Sequence, residues 1–135
     1  MDELEKIENY NENIFEKIKH IDEYGNEFWY GRELMPVLEY KEWRFFEDVI
    51  RISIINCNKS KIDENEHFGV YSKTIKMPKN ATKKIVDYKL SRYACYLIVE
   101  NANPRNETVA LGKTYFAIKT QHSLFFLRSM MSRSQ

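Results

Sequence analysis

The side chains that most often carry out chemistry are few and scattered in this sequence. His20, His67 and His122 lie in three separate predicted elements, and no H-E-x-x-H, paired C-x-x-C or G-x-S-x-G pattern brings them near a partner. With four glycines in all, the chain has neither a phosphate-binding P-loop nor a dinucleotide-binding turn. The sequence therefore predicts a protein that is not an enzyme and that binds no cofactor.

The two cysteines and one acidic stretch are the remaining candidates for a chemical site. Cys57 stands in a polar stretch and Cys95 in an apolar run, so we expect reduced thiols that ligate no metal. A dyad between Cys95 and a histidine stays open because dyads form in space, but a thiol within an apolar helix is usually unreactive. The acidic stretch 63–67 ends in a histidine, yet such runs are more often solvated loop, and we predict no metal site there.

Charge is unevenly divided along the chain. The total of 21 basic and 20 acidic side chains gives a net charge of +1. Residues 1–66 hold 9 basic and 17 acidic side chains, a net of −8, whereas residues 67–135 hold 12 and 3, a net of +9. Such asymmetry indicates an anionic partner such as nucleic acid or a membrane surface, unless the two halves neutralise each other in the folded protein.

The densest basic feature is the stretch 70–90, in which Asp87 is the one acid. Alternating residues and the turn-forming PKNA sequence predict a hairpin with strands at 70–77 and 84–90. A lysine-rich hairpin after a helix pair is typical of a winged helix, whose wing lies along DNA phosphates, but lysines also protect edge strands from aggregation. The predicted DNA-binding residues are Lys73, Lys76, Lys79, Lys83, Lys84 and Lys89 of this hairpin, Arg44 and Arg51 of the preceding helix, and Arg92.

Arg92 is a candidate because of its position in a helix. It follows Ser91, the predicted cap of a helix over 92–101, and so places a positive charge at a helix N-terminus, against the dipole. A bound anion would explain this arrangement. A salt bridge to Asp87 or Glu100 is the alternative interpretation.

The elements that must position these residues are helices and small hairpins. Periodicity predicts an amphipathic helix over 3–19, a hairpin with strands at 19–24 and 27–30, a short helix over 31–40 and a second helix over 41–56. Pro36 must lie in the first turn of the short helix or kink it. Residues 56–69 are predicted to form a loop.

Two core helices are predicted after the basic hairpin, over 92–101 and 107–121. Gly112 in the second indicates a close helix crossing, since glycine costs about 1 kcal/mol against alanine in a helix. The fold class is therefore α+β, with helices packed on small antiparallel hairpins in a winged-helix-like arrangement.

The chain is expected to form one domain over residues 1–122, followed by a divergent apolar and basic tail over 123–135. The tail either packs on the core or on a second subunit, which would make a homodimer, or is a poorly ordered appendage. No apolar stretch reaches the ~20 residues needed to cross a bilayer, and the acidic N-terminus lacks the apolar region of a secretory signal. We therefore expect a cytoplasmic protein with no membrane partner.

The segment DYKLSRYACYLIVENANPRNETVALGKTYFAIKTQ closely resembles the core signature of the bacterial DNA-damage-inducible protein D family. Its most diagnostic parts are LSRYACYLI and GKTYFAIKTQ, and GRELMPVLEYKEWRFFEDVIRISI and KMPKNATKKIVDY also fit, so the likeness covers about Lys19 to Gln121. This family is in turn similar to the Bro-N domain of viral and phage regulatory proteins, an α+β domain generally treated as DNA-binding.

The resemblance implies a non-catalytic, DNA-binding accessory or regulatory protein of the bacterial DNA-damage (SOS) response or of phage-type regulation. The alternative is a regulator that docks on a repair or recombination protein without contacting DNA. The sequence departs from the family pattern in its divergent end and at Glu39, which precedes Tyr40 where glycine is frequent. This departure predicts a slightly different turn after the short helix.

Overall fold

The computed structural model describes residues 14–117, which form an α+β domain, as predicted. A helical turn at 14–16 is the described part of the predicted first helix; the rest of that helix and the tail 123–135 lie outside the described residues. The strands are β1 (His20–Ile21), β2 (Glu27–Tyr30), β3 (Phe68–Lys76) and β4 (Thr82–Leu90). The helices are α1 (Gly31–Val37), α2 (Trp43–Lys59), α3 (Arg92–Asn101) and α4 (residues 107–117).

The four strands form one antiparallel sheet in the order β1-β2-β4-β3. Strand β3 pairs with β4 along its whole length, whereas β2 pairs with β4 at Trp29 and Tyr30. Both predicted hairpins are confirmed. Because β2 ends at Tyr30, the far part of the β3–β4 hairpin continues as a two-stranded ribbon.

The turn of this ribbon is a 3-10 turn over Pro78–Asn80. Lys79 and Asn80 both adopt left-handed backbone angles, with φ of 62° and 61°. Asparagine tolerates this region better than most residues, and Pro78 fixes the entry to the turn. The backbone N–H of Met77 donates to the carbonyl of Ala81 at 2.8 Å and closes the ribbon.

The core lies between the helices and one face of the sheet, which we call the core face. Trp29 and Phe68 share this face because both pair with Leu90, and all three side chains are buried. The indole N–H of Trp29 donates to the backbone carbonyl of Phe15 at 3.0 Å, so its polar atom is satisfied inside the core. The predicted cap of α3 is confirmed: the Ser91 hydroxyl accepts from the N–H of Ala94 at 3.0 Å.

The predicted close crossing at Gly112 is confirmed between α4 and α3. A Cβ on Gly112 would lie 2.9 Å from Cγ1 of Val99 and 3.1 Å from Cζ of Phe15. Both neighbours are fully buried, so neither side chain has solvent to move into. Only glycine lets the two helices approach this closely.

Two predictions about the middle helices are wrong. Pro36 lies in the last turn of α1 and not in its first, and no kink is needed because the helix ends one residue later, at Val37. Helix α2 continues to Lys59, through residues predicted as loop, because Cys57 packs into the core. No helix within residues 14–117 is both long and apolar enough to cross a bilayer.

Candidate nucleic-acid interface

The β3–β4 ribbon extends beyond the end of β2 as a feature we call the basic arm, residues 72–86. All of its residues are exposed except Ile75 and Ile85, which are half-buried on the same side of the ribbon. The arm contains five lysines and no acidic residue. It therefore presents a concentrated positive charge to solvent.

Strand alternation divides these lysines between the two faces of the arm. Lys83 pairs with Ile75 and Lys73 pairs with Ile85, which places these two lysines on one face. Lys76 and Lys84 lie on the other face, opposite Thr82 and Thr74, and Lys79 lies in the turn. The lysines thus surround the arm, and they cannot all lie on one surface.

One lysine of the arm is already paired. The Nζ of Lys73 donates to Oδ2 of Asp87 at 3.3 Å. The other four, Lys76, Lys79, Lys83 and Lys84, form no ion pair with any residue in the range 14–117. Their ammonium groups remain available for an anionic ligand.

Asp87 connects the base of the basic arm to helix α1 through hydrogen bonds. It is fully buried, and its Oδ1 accepts from the backbone N–H of Arg32 at 3.0 Å and from its neighbour Tyr88 at 2.8 Å. The first of these bonds caps α1, since the side chain of Tyr30, at the N-cap, makes no such bond. Oδ2 accepts from Lys73 and, at 3.4 Å, from the hydroxyl of Tyr71. Burial, aided by the charge of Asp87, raises the pKa of Tyr71 to about 12.

The two arginines of α2 are exposed but differ in their surroundings. The Arg44 guanidinium lies 4.7 Å from the centre of the Phe45 ring. Arg51 pairs with Oε1 of Glu47 at 3.1 Å and with Oδ1 of Asp48 at 3.6 Å. Two carboxylates of its own helix therefore offset the charge of Arg51, which makes it a weaker candidate for phosphate binding than Arg44.

Arg92 is not part of the interface, and this prediction is wrong. Its side chain is 8% exposed, and its Nε and Nη2 donate to the two carboxylate oxygens of Glu27 at 2.6 and 3.0 Å. Nη1 donates to the backbone carbonyl of Tyr115 at 3.3 Å. The alternative partners, Asp87 and Glu100, are also incorrect, because it is strand β2 that faces the start of α3 and supplies the carboxylate.

In the described part of the chain, the two cysteines and His67 have structural roles. Both cysteines are free and buried, and burial raises the pKa of the Cys95 thiol well above its usual range. Nδ1 of His67 lies 2.6 Å from the Ser91 hydroxyl, which caps α3. Residues 14–117 contain no group of three or more His, Cys, Asp and Glu side chains placed to hold a metal, and His122 lies beyond them.

A cluster of aromatic rings that the sequence did not predict lies on the face of the sheet opposite the core face. We call it the aromatic face: His20, Phe28, Tyr30 and Tyr71, with Lys89 among them. The Nζ of Lys89 lies 5.3 Å from the centre of the Phe28 ring and 5.9 Å from that of Tyr71. The alternation of Phe28 and Tyr30 around buried Trp29 indicates that these two rings share the other face of the sheet. The place of Tyr71 beside them depends on the pairing of β3 with β4, which the sequence does not show.

Comparisons with known proteins agree with this architecture. The chain is similar to DNA damage-inducible protein D of Escherichia coli (strain K12), with 40% identity over 107 residues, which are 79% of this chain and 39% of that protein. The chain thus spans about two-fifths of the length of this relative. No solved structure matches it. The predicted relationship is confirmed: residues 17–115 match the Bro-N model, described as the BRO family, N-terminal domain, and the chain belongs to that family.

Proposed function

We propose that this protein is a non-catalytic, DNA-binding regulator of the DNA-damage response or of phage-type regulation, acting in the cytoplasm without a cofactor. The observation that carries the proposal is the basic arm, which has five exposed lysines and no acidic residue. The name of the similar protein supports a role related to DNA damage, and membership of the Bro-N family supports a regulatory one.

The shape of the arm suggests how it would meet DNA. A two-stranded ribbon fits the major groove of duplex DNA, whose two walls are both lined by phosphates. Lysines on both faces of a ribbon would reach both walls, whereas a ribbon lying along one backbone needs charge on one face only. Lysine suits this role as a mobile point charge that contacts phosphate without reading sequence. We infer that the arm enters a groove and that Arg44 approaches the duplex from α2.

The dependence of affinity on salt tests this function. Four unpaired lysines, each neutralising one phosphate, predict a slope of log K against log[salt] of about −3 to −4 for duplex DNA. We expect Lys83→Glu with Lys84→Glu to weaken binding and to make the slope shallower by about 2. Fluorescence anisotropy with a labelled duplex measures both quantities.

Charge reversal away from the arm provides the control. Lys41 and Lys61 are exposed and lie on the loops that flank α2, so Lys41→Glu with Lys61→Glu changes the net charge equally. We expect this variant to keep most of the wild-type slope. Absence of binding at low salt, or equal losses in both double variants, would contradict the proposal.

Exposed apolar side chains on α2 favour a second candidate function, a regulator that docks on a repair or recombination protein. Phe45, Ile52 and Ile55 are 51%, 48% and 51% exposed and lie on one side of the helix. In this case Ile52→Lys should abolish capture of such a protein from nuclease-treated extracts, and Lys83→Glu with Lys84→Glu should not. The reverse pattern would favour DNA binding.

A further inference from the structure

We propose that the aromatic face is a stacking site for unpaired DNA bases, so that this protein binds single-stranded DNA across the sheet. The inference rests on the proposed function, because it takes the basic arm to be a DNA-binding element. It adds a second contact surface and a class of DNA that the lysines alone do not select.

The rings form a continuous cluster across three strands. The centres of the Phe28 and Tyr30 rings are 5.2 Å apart and nearly perpendicular, and those of Tyr30 and Tyr71 are 5.9 Å apart. The His20 ring stacks on Phe28 with centres 5.4 Å apart. The register places them together, since His20 pairs with Phe28, and Tyr30 and Tyr71 pair with alternate residues of β4, Lys89 and Asp87, whose side chains share one face of the sheet.

This face is open to solvent in the described part of the chain. Lys89 stands in β4, between β2 and β3, yet it is exposed, which would not be so if another element packed on the sheet there. Opposite Lys89 on β3 is Gly69, which adds no side chain to the surface. Each of the four rings is half-buried, so part of its surface remains open to solvent.

The charges next to the rings fit a nucleic-acid strand. Lys89 lies among the rings, and the same face of the sheet continues along β4 to Lys83, about 20 Å away at the usual rise of a strand. Three acids lie nearby. Asp87 is buried beneath Lys73 and Tyr71, and Glu33 accepts a hydrogen bond from His20 at the rim. Asp22, whose charge interacts with that of Lys89, accepts hydrogen bonds from the backbone of its own turn. Phosphates of a strand whose bases contact the rings would therefore meet cations.

The rings select unpaired bases for a physical reason. Inside a duplex both faces of a base are already covered by its neighbours, so an aromatic surface has nothing to stack on. In a single strand the faces are free, and aromatic side chains on a positively charged surface are the usual means of binding them. The basic arm does not distinguish the two, because both carry phosphates.

Three labelled probes separate stacking from charge: a 20-nucleotide oligothymidylate, an abasic strand of equal length and a duplex. The abasic strand keeps the phosphates and lacks the bases. At low salt we expect wild-type protein to bind oligothymidylate about 5- to 150-fold more tightly than the abasic strand, the range given by one stacked base. Phe28→Leu and Tyr71→Leu should each reduce this ratio towards one.

Two matched variants keep the result interpretable. Tyr71→Phe retains the ring but removes the hydrogen bond to Asp87, and Phe45→Leu removes an exposed ring from α2; both should keep the wild-type ratio. Equal binding of the first two probes by wild-type protein, with the duplex bound, would overturn this inference and leave the proposed function standing. Binding of no probe would overturn both.

Discussion

Glu27 and Arg92 lie 65 residues apart and form a two-point ion pair at 2.6 and 3.0 Å. The guanidinium is buried beside the rings of Trp29 and Tyr115, with its carbon 5.0 and 4.7 Å from their centres. The pair joins strand β2 to the first residue of α3, and through Tyr115 it reaches α4. A residue that the sequence assigned to DNA binding therefore holds three elements of the domain together.

Glu27→Gln should destabilise the fold, because it leaves the buried Arg92 cation without its counter-charge. Removing one partner of a buried ion pair costs about 3–5 kcal/mol, and since Glu27 is 30% exposed we expect about 2–3 kcal/mol in urea unfolding. Below the denaturation midpoint, DNA affinity should match the wild type. Unchanged stability together with tighter DNA binding would show that Arg92 contacts DNA and would contradict this account.

Gly112→Ala should destabilise the packing of α4 on α3. The added methyl would lie 2.9 Å from Val99 and 3.1 Å from Phe15. Overpacking of this kind costs about 1–3 kcal/mol, of which the better helix propensity of alanine returns about 1. Thr114→Ala, at an exposed site of the same helix, is the control and should stay within about 0.5 kcal/mol of wild type. Thermal unfolding of both variants checks the prediction, which equal melting temperatures would refute.

Glu39→Gly should stabilise the turn between α1 and α2. Glu39 has a φ of 66°, a left-handed conformation that costs a non-glycine residue about 1–2 kcal/mol. Glycine removes this cost, but its greater freedom in the unfolded chain raises the entropic cost of folding by about 0.5–1 kcal/mol. We therefore expect the free energy of unfolding to rise by about 0.5 kcal/mol. Lys41→Gly, at a position without positive φ, should gain nothing in the same urea titration. A loss of stability in Glu39→Gly would contradict this account.

His67 should make the stability depend on pH. Burial lowers the pKa of His67 below its usual value of 6.5, despite the opposing charges of Glu66 and Asp63. The unfolded chain then takes up the proton first as the pH falls, so the stability present above pH 6.5 is lost as the pH falls through 6.5 towards the lowered pKa. The free energy of unfolding of wild-type protein should therefore be smaller at pH 5.5 than at pH 7.5.

His67→Asn provides the comparison, because its amide can still bond the Ser91 hydroxyl and does not titrate. The variant should lose less stability than wild-type protein between pH 7.5 and pH 5.5. The other titrating groups are the same in both proteins, so their contributions cancel when the two losses are compared. Parallel pH profiles of the two proteins would contradict the assignment to His67.

Local features of the fold were predictable from the sequence. The β3–β4 hairpin follows from strand alternation and from the turn residues beginning at Pro78, and the start of α3 follows from Ser91 three residues before Ala94. Gly112 indicated a close crossing because glycine is unfavourable within a helix. In each case the determining residues are neighbours along the chain.

The errors fall where a distant residue decides the outcome. Pro36 was expected to lie in the first turn of the short helix or to kink it. Helix α1 instead begins at Gly31, as predicted, where Asp87, 55 residues away from Arg32, caps it, and it ends at Val37, one residue after the proline. Helix α2 extends through residues predicted as loop because Cys57 is buried in the core, most of whose residues are distant from Cys57 in the sequence. Local propensity cannot include these contacts.

The sequence by itself determined the elements, the Bro-N relationship and the concentration of lysines between β3 and β4, because each depends on residue type and short spacing. Only the tertiary structure decided which charges are available. It buried Arg92 against Glu27, paired Lys73 with Asp87, and placed Tyr71 beside Tyr30 to form the aromatic face. The physical reason is that desolvation and ion pairing act between side chains that are close in space, and strand order and register alone set that closeness.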